Sequence, residues 1–309
     1  MFLRIAGARS AEQSGIIRSG KRPFDASIIK YDAHEQTDRG RKERKMSGKL
    51  YGVGVGPGDP RLMTCLAVET IEHCPVIAVP SEVREHALSY RIASGMVKGI
   101  ENKECLNLST PMTRNRQVLE QSYQRAAERI TACLDAGKDV AYLTLGDPTI
   151  YSTYIYIHRL VAGRGYAAQM INGVPSFCAV AARLGDSLAD RSEQLHILPS
   201  AYAVDEALAY PGNKVLMKAA PRLNEVKEHL REMGMQGIMV ENCGLSDERI
   251  YQGVEEMPEK ASYYATVVVK DRQRDSGGKD RQNNSGEKNR QRDGKEEGRD
   301  EWVKKYVQG

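Results

Sequence analysis

Twice in this chain an apolar strand runs directly into a glycine turn and then into a helical pattern. The first instance is Leu50-Tyr51-Gly52-Val53-Gly54-Val55-Gly56-Pro57-Gly58-Asp59-Pro60, with a helical period from Leu62. The second is Leu145-Gly146-Asp147-Pro148-Thr149-Ile150-Tyr151, after a strand at 140–145. Glycines at such spacing leave the main chain bare, so a ligand can approach it closely. The turn that follows a parallel strand is also where open α/β sheets bind small molecules. The pair therefore predicts an α/β fold with a small-molecule site at strand ends.

Strand and helix patterns alternate through the middle of the chain. Strands are expected at 50–55, 76–79, 140–145, 167–171, 196–198, 214–218 and 238–241, with a final β-branched run at 265–270. Helices are expected at 62–74, 87–97, 115–136 (closed by Gly137), 154–160, 176–184 and 223–233. The early part reads as a mostly parallel sheet covered by helices, the later part as a second α/β domain with a mixed sheet. With Gly163-Arg164-Gly165 as a natural hinge, the expected organisation is an N-terminal α/β domain at 48–163 and a C-terminal one at 164–270.

The formal charge of +4 belongs to the ends of the 309-residue chain. Residues 1–47 carry 11 Lys/Arg against 6 Asp/Glu and residues 271–309 carry 11 against 9, which leaves 23 basic and 26 acidic residues between them. A nucleic-acid footprint needs basic residues clustered on a folded face, so a nucleic-acid-binding protein working through its basic ends is the disfavoured reading from another class. Residues 1–47 are expected to be a disordered basic extension, with Met46 an alternative start, and 271–309 a disordered low-complexity tail. Residues 271–300 contain no apolar side chain large enough to bury against a core. The last nine residues, with Trp302, Val303, Tyr306 and Val307, have the spacing of a short docking helix. The six cysteines never pair as CxxC, and no secretory signal or long apolar span occurs. A reduced cytoplasmic setting is expected, without a membrane partner and without a protein-bound metal.

Two familiar phosphate-binding patterns fail. The third glycine of G-x-G-x-x-G would fall on Pro57 or on Asp59 in the two possible frames, which disfavours a nicotinamide-dependent dehydrogenase, and no Gly-Lys-Ser/Thr closes a P-loop. No G-x-S-x-G elbow occurs either. Asp147 has two open roles, accepting hydrogen bonds from a ligand or fixing its own turn.

The order of four motifs is more specific than any one of them: Gly-Val-Gly-Val-Gly-Pro-Gly-Asp-Pro at 52–60, Leu-Gly-Asp-Pro-Thr-Ile-Tyr-Ser-Thr-Tyr at 145–154, Asn-Gly-Val-Pro-Ser-Phe at 172–177 and Val-Leu-Met-Lys-Ala at 215–219. This succession resembles the S-adenosylmethionine-dependent tetrapyrrole methyltransferases of cobalamin and sirohaem synthesis. Within that superfamily, the Thr-Ile-Tyr-Ser-Thr continuation and Pro-Ser-Phe are similar to the precorrin-2 C20-methyltransferase branch. Val240-Glu241-Asn242-Cys243-Gly244 fits the same family, and the likeness covers about 48–270.

The resemblance implies two α/β domains with S-adenosyl-L-methionine held in the cleft between them. It implies methyl transfer to C20 of precorrin-2 or cobalt-precorrin-2, and a homodimer. Carried over by position, it implies that Pro57, the Leu145-Gly146-Asp147 backbone, Ile150, Pro175, Ser176, Met217 and Cys243 contact the donor. Tyr151, Tyr154 and Lys218 are the candidates for the tetrapyrrole, with core packing the other role open to the two tyrosines. Arg84, Arg91, Arg114, Arg116 and Arg222 are further candidates for substrate carboxylates, and His158 reads as a packed or surface histidine. No residue declares itself as a general base, so the catalytic residues stay unassigned. Uroporphyrinogen III methyltransferase, diphthine synthase and the ribosomal-RNA cytidine methyltransferase share the glycine loops and are the alternatives within the superfamily.

Overall fold

The computed structural model describes residues 47–111, 113, 115–199 and 204–271. The expectations for the two ends therefore lie outside the described residues, apart from Ser47 and Asp271, and so does Arg114.

Five short strands make the first sheet: β1 (Leu50–Gly54), β2 (Val76–Val79), β3 (Glu104–Asn107), β4 (Val140–Thr144) and β5 (Ala168–Ile171). Their order is β3-β2-β4-β1-β5, and every pair is parallel. Parallel strands need crossovers that cover both faces, so they read as continuous apolar runs. Val76-Ile77-Ala78-Val79 is such a run, buried at all four positions.

One face packs Val53, Ile77, Val79, Ala141 and Leu143 against α1 (Cys65–His73) and α2 (Leu88–Ser94). The other packs Leu50, Val76, Ala78, Val140 and Tyr142 against α3 (Arg116–Asp135) and α4 (Tyr154–Gly163). Helix α3 is set at its start by Asn115, whose side chain accepts from the Gln117 and Val118 amides. It is followed by Gly137, which takes the left-handed φ of 75° that ends many helices.

After α5 (Ser176–Leu184) the chain builds a second sheet from β6 (Leu195–Pro199), β7 (Asn213–Met217), β8 (Gln236–Glu241), β9 (Arg249–Tyr251) and β10 (Thr266–Lys270). The order is β6-β7-β10-β8-β9; β6 and β7 are parallel, and β10 lies antiparallel between β7 and β8. Helices α6 (Val204–Ala209) and α7 (Leu223–Glu232) cover one face. The other face packs Val240 and Val268 against Ala179 and Val180 of α5.

The division expected at 163/164 does not coincide with the sheets. β5 lies beyond it, yet pairs with β1 along Leu50↔Ala168 to Val53↔Ile171, and sheet membership changes only between Ile171 and Leu195. The edge strands β3 and β9 and the short α6 were not expected from the sequence. The two strands are three or four residues long and half-exposed, and α6 spans six residues, too few to establish a period.

Candidate functional site

The sheet order puts β4, β1 and β5 side by side, so the loops after their carboxyl ends are neighbours. These are the three loops that carry the first three motifs. Gly56 and Gly146 exchange backbone hydrogen bonds at 3.2 and 2.8 Å. Gly54, Gly146 and Gly173 then meet main chain to main chain, and a Cβ added to Gly54 would stand 2.6 Å from both the Gly146 oxygen and the Gly173 nitrogen.

Part of the glycine reading is corrected here. The bare backbone at Gly54, Gly58 and Gly173 admits protein, not ligand; a Cβ on Gly58 would lie 2.3 Å from the Cys243 carbonyl oxygen. Gly146 differs. At φ 69° its open side meets nothing nearer than 3.9 Å, and it faces a cavity.

Asp147 closes this junction. Its Oδ1 accepts from the Thr149 amide at 2.7 Å and from the Thr149 hydroxyl, while Oδ2 accepts from Asn172 Nδ2 at 3.1 Å and the Gly173 amide at 3.0 Å. Burial (5 % exposed) pushes its carboxyl up, but the hydrogen bonds from Thr149, Asn172 and Gly173 outweigh that and hold it below the ordinary carboxylate value. Both oxygens are thus engaged by protein donors, which is the turn-fixing role extended to a second loop.

The second sheet supplies the opposite wall. Because β10 runs antiparallel to β7 and β8, its first residue Thr266 sits beside Met217, the last residue of β7, and Val240, the last but one of β8. Lys218 follows β7 at φ 57° and Asn242 follows β8 at φ 52°, both in the left-handed region that non-glycine residues rarely adopt.

The cavity between the two walls measures about 240 Å³. It brings together all nine residues carried over for the donor: Pro57 from the first loop, Leu145, Gly146, Asp147 and Ile150 from the second, Pro175 and Ser176 at the start of α5, Met217 and Cys243 from the second sheet. Tyr151 and Lys218 line it too. The sequence reading missed Pro80, Thr144, Ser152 and Thr153 on one wall and Tyr263, Tyr264, Ala265 and Thr266 on the other.

Tyr151 and Lys218 join the walls. The Tyr151 hydroxyl donates to the Ile197 carbonyl at 2.9 Å, and Lys218 Nζ donates to the Tyr151 carbonyl at 3.3 Å while lying 5.6 Å above the Tyr263 ring.

Tyr154 is not at the cavity, against its place among the tetrapyrrole candidates. It is fully buried over Gly52, where an added Cβ would fall 2.0 Å from the tyrosine ring, and its hydroxyl lies 3.0 Å from His158 Nδ1. The core-packing role left open for it is the one it takes: Tyr154 begins α4 and faces the sheet, whereas Tyr151, at φ 46° outside the helix, is turned to the cavity.

Of the arginine candidates, Arg84 pairs with Glu85, Arg116 with Glu120 and Arg222 with Glu225, and neither these nor Arg91 line the cavity.

Cys243 is buried, and burial together with the Glu248 charge pushes its thiol up to about 11. Glu248 accepts from the Gly244 amide at 2.8 Å and pairs with Arg183 of α5, which fixes the turn after Cys243. Burial also raises the Tyr264 phenol. Among the described residues no helix is long and apolar enough to cross a membrane.

Comparison with known proteins adds four findings. Residues 49–258 match the family described as Tetrapyrrole (Corrin/Porphyrin) Methylases. A probable cobalt-precorrin-2 C(20)-methyltransferase of Methanocaldococcus jannaschii is 32% identical over 211 residues, covering 68% of this chain and 89% of that protein. A precorrin-2 C(20)-methyltransferase of a Sinorhizobium species is 28% identical over 239 residues, 73% of this chain and 97% of that protein. Among solved structures, uroporphyrin-III C-methyl transferase from Thermus thermophilus complexed with S-adenyl homocysteine shares the fold. Its TM-score is 0.53 at 18% identity, over 72% of this chain and 97% of that one.

Proposed function

This chain belongs to the tetrapyrrole (corrin/porphyrin) methylases, and from that premise we propose that it methylates C20 of precorrin-2 or cobalt-precorrin-2 in cobalamin biosynthesis, with S-adenosylmethionine as donor. The observation that carries the reading is the convergence of the three glycine loops with Met217 and Cys243 on one cavity. The relatives named for C20 methylation support the acceptor, at 28–32% identity over 68–73% of this chain; a uroporphyrinogen-III C-methyltransferase of Pseudomonas aeruginosa is 29% identical over 66% of it.

The cavity fits a sulfonium nucleoside on the chain's own geometry. Gly146 turns an open, side-chain-free backbone toward it, while Pro57, Ile150, Pro175 and Met217 give apolar walls. Bound there, the donor supplies an electrophilic methyl group that needs no acid or base for activation. The protein then acts by placement, which can remove about 7–11 kcal/mol of barrier when two reactants are well oriented. The backbone of Leu145 and Gly146 would hold the donor, and Tyr263 and Tyr264 would line the side facing it.

Methyl transfer leaves S-adenosylhomocysteine and a C20 proton to be lost; that proton goes to water or a carboxylate of the substrate, because the cavity groups with shifted pKa values are unsuited to take it. Asp147 is held ionised with both oxygens occupied, and the Cys243 thiol and Tyr264 phenol are pushed up. Lys218 and Tyr151, at the rim, are the proposed partners of the tetrapyrrole's polar edge. The family likeness supports two further proposals, a homodimer and a cytoplasmic enzyme, which sedimentation and cell fractionation test.

The decisive assay incubates the protein with isotope-labelled donor and precorrin-2, with and without cobalt. We expect one label at C20, located by mass spectrometry and carbon NMR. Label at another carbon, or label entering only uroporphyrinogen III, would overturn the C20 assignment.

A further inference from the structure

We infer that Glu241, which does not touch the cavity, is the positioning residue that sets its second wall, an inference that rests on the cavity being the donor site. Glu241 is the last residue of β8 and only 5 % exposed. Its Oε1 accepts from the Ser262 amide at 2.5 Å and its Oε2 from the Tyr251 hydroxyl at 2.8 Å. Asn242, strained at φ 52°, accepts from the Ser262 hydroxyl through Oδ1 at 2.9 Å, and the same hydroxyl accepts from the Tyr264 amide at 3.3 Å.

Ser262 is therefore held from three sides immediately before Tyr263, Tyr264, Ala265 and Thr266, four consecutive residues that line the cavity. On the other side of the same buttress, Asn242 leads directly into Cys243, which also lines it. The β8–β10 ladder reaches Val240↔Thr266. Beyond that pair the carboxylate of Glu241 takes the place of strand pairing and lets 262–265 turn across the cavity, with the Ala265 amide closing back on the Ser262 carbonyl at 3.2 Å. A hydrogen bond from a backbone N–H to a buried carboxyl group is a strong local restraint, and losing it strands that N–H.

The test is calorimetric titration of S-adenosylhomocysteine into the full chain and three variants, with amide hydrogen exchange measured on the ligand-free proteins. Glu241→Ala should weaken binding about tenfold at unchanged stoichiometry and speed exchange across 262–266. Glu241→Gln keeps an acceptor for the Ser262 amide and should restore affinity to within about threefold of wild type. Tyr251→Phe removes the bond on the far side and should leave affinity unchanged.

A fall in stoichiometry with affinity preserved in Glu241→Ala would mean that the residue serves folding alone, and would overturn the inference. So would unchanged exchange at 262–266. If the wild-type chain binds no S-adenosylhomocysteine, the donor assignment falls instead, and with it the link from this buttress to catalysis.

Discussion

A Cβ built on Gly173 would stand 2.2 Å from the carbonyl oxygen of Gly146. The partner in that contact is main chain, which cannot rotate away, so the close fit requires glycine at 173. Gly173→Ala should cost about 3 kcal/mol or more. Gly146→Ala meets open space and should cost only the left-handed backbone penalty of about 1–2 kcal/mol, while its methyl intrudes on the cavity. We therefore expect a low melting point for the first variant and, for the second, near-normal melting with weakened binding of S-adenosylhomocysteine. Equal melting of both would contradict the packing described.

Asp147 ties the second loop to the third, and Asp147→Asn keeps one acceptor oxygen, so it should strand the donors of one loop, either Thr149 or Gly173 with Asn172, at a cost of about 2–4 kcal/mol at neutral pH. Its folded pKa lies below the ordinary carboxylate value, so its stabilisation is complete above about pH 4 and disappears as pH falls through the folded value. The gap in unfolding free energy between wild type and variant should close over that acid range in urea melts. A gap that stays constant with pH would exclude the ionised carboxylate as its source.

Lys214 in β7 is fully buried, and its Nζ finds no hydrogen-bond partner among the described residues. Burial lowers its pKa, partly countered by the Asp271 charge. Unfolded chains then bind more protons than folded ones between the depressed value and 10.5, so this residue's penalty is greatest at low pH and shrinks as pH rises. Lys214→Met should stabilise the protein by about 1–3 kcal/mol at pH 7 and by less at pH 10. A destabilised Met variant would show that the amine is satisfied in solution.

With a thiol near 11, Cys243 is about 0.1% thiolate at pH 8. Iodoacetamide should label exposed Cys65 quickly and leave Cys243 unmodified until the chain is denatured. Peptide mapping that found Cys243 labelled in the native protein would mean that this wall opens.

The half of the cavity built from the glycine loops was legible because its parts are local. Strand, glycines and helix start appear within a dozen residues, and the β4-β1-β5 order then sets the three loops side by side. The wall at Tyr263–Thr266 was not, since its position depends on β10 entering between two strands formed much earlier in the chain, and nothing in a run of valines specifies its neighbours. Of the two roles left open for Tyr154 the structure takes core packing, because the residue begins α4 and turns in over Gly52, while Tyr151 lies outside the helix. Lys214 gave no warning either, because a lysine flanked by Asn213 and Val215 reads as strand polar-face chemistry until both faces of the sheet are covered.

The central place of β10 has a consequence for synthesis. All strands of the first sheet have been made by Ile171, so that half can close while translation continues. The second cannot: β7 and β8 keep open edges until the residues up to Lys270 have left the ribosome, and only then do they gain their shared partner. A nascent chain stalled before Thr266 would therefore carry a finished half-pocket facing an unzipped sheet, the state in which a chaperone has most to cover.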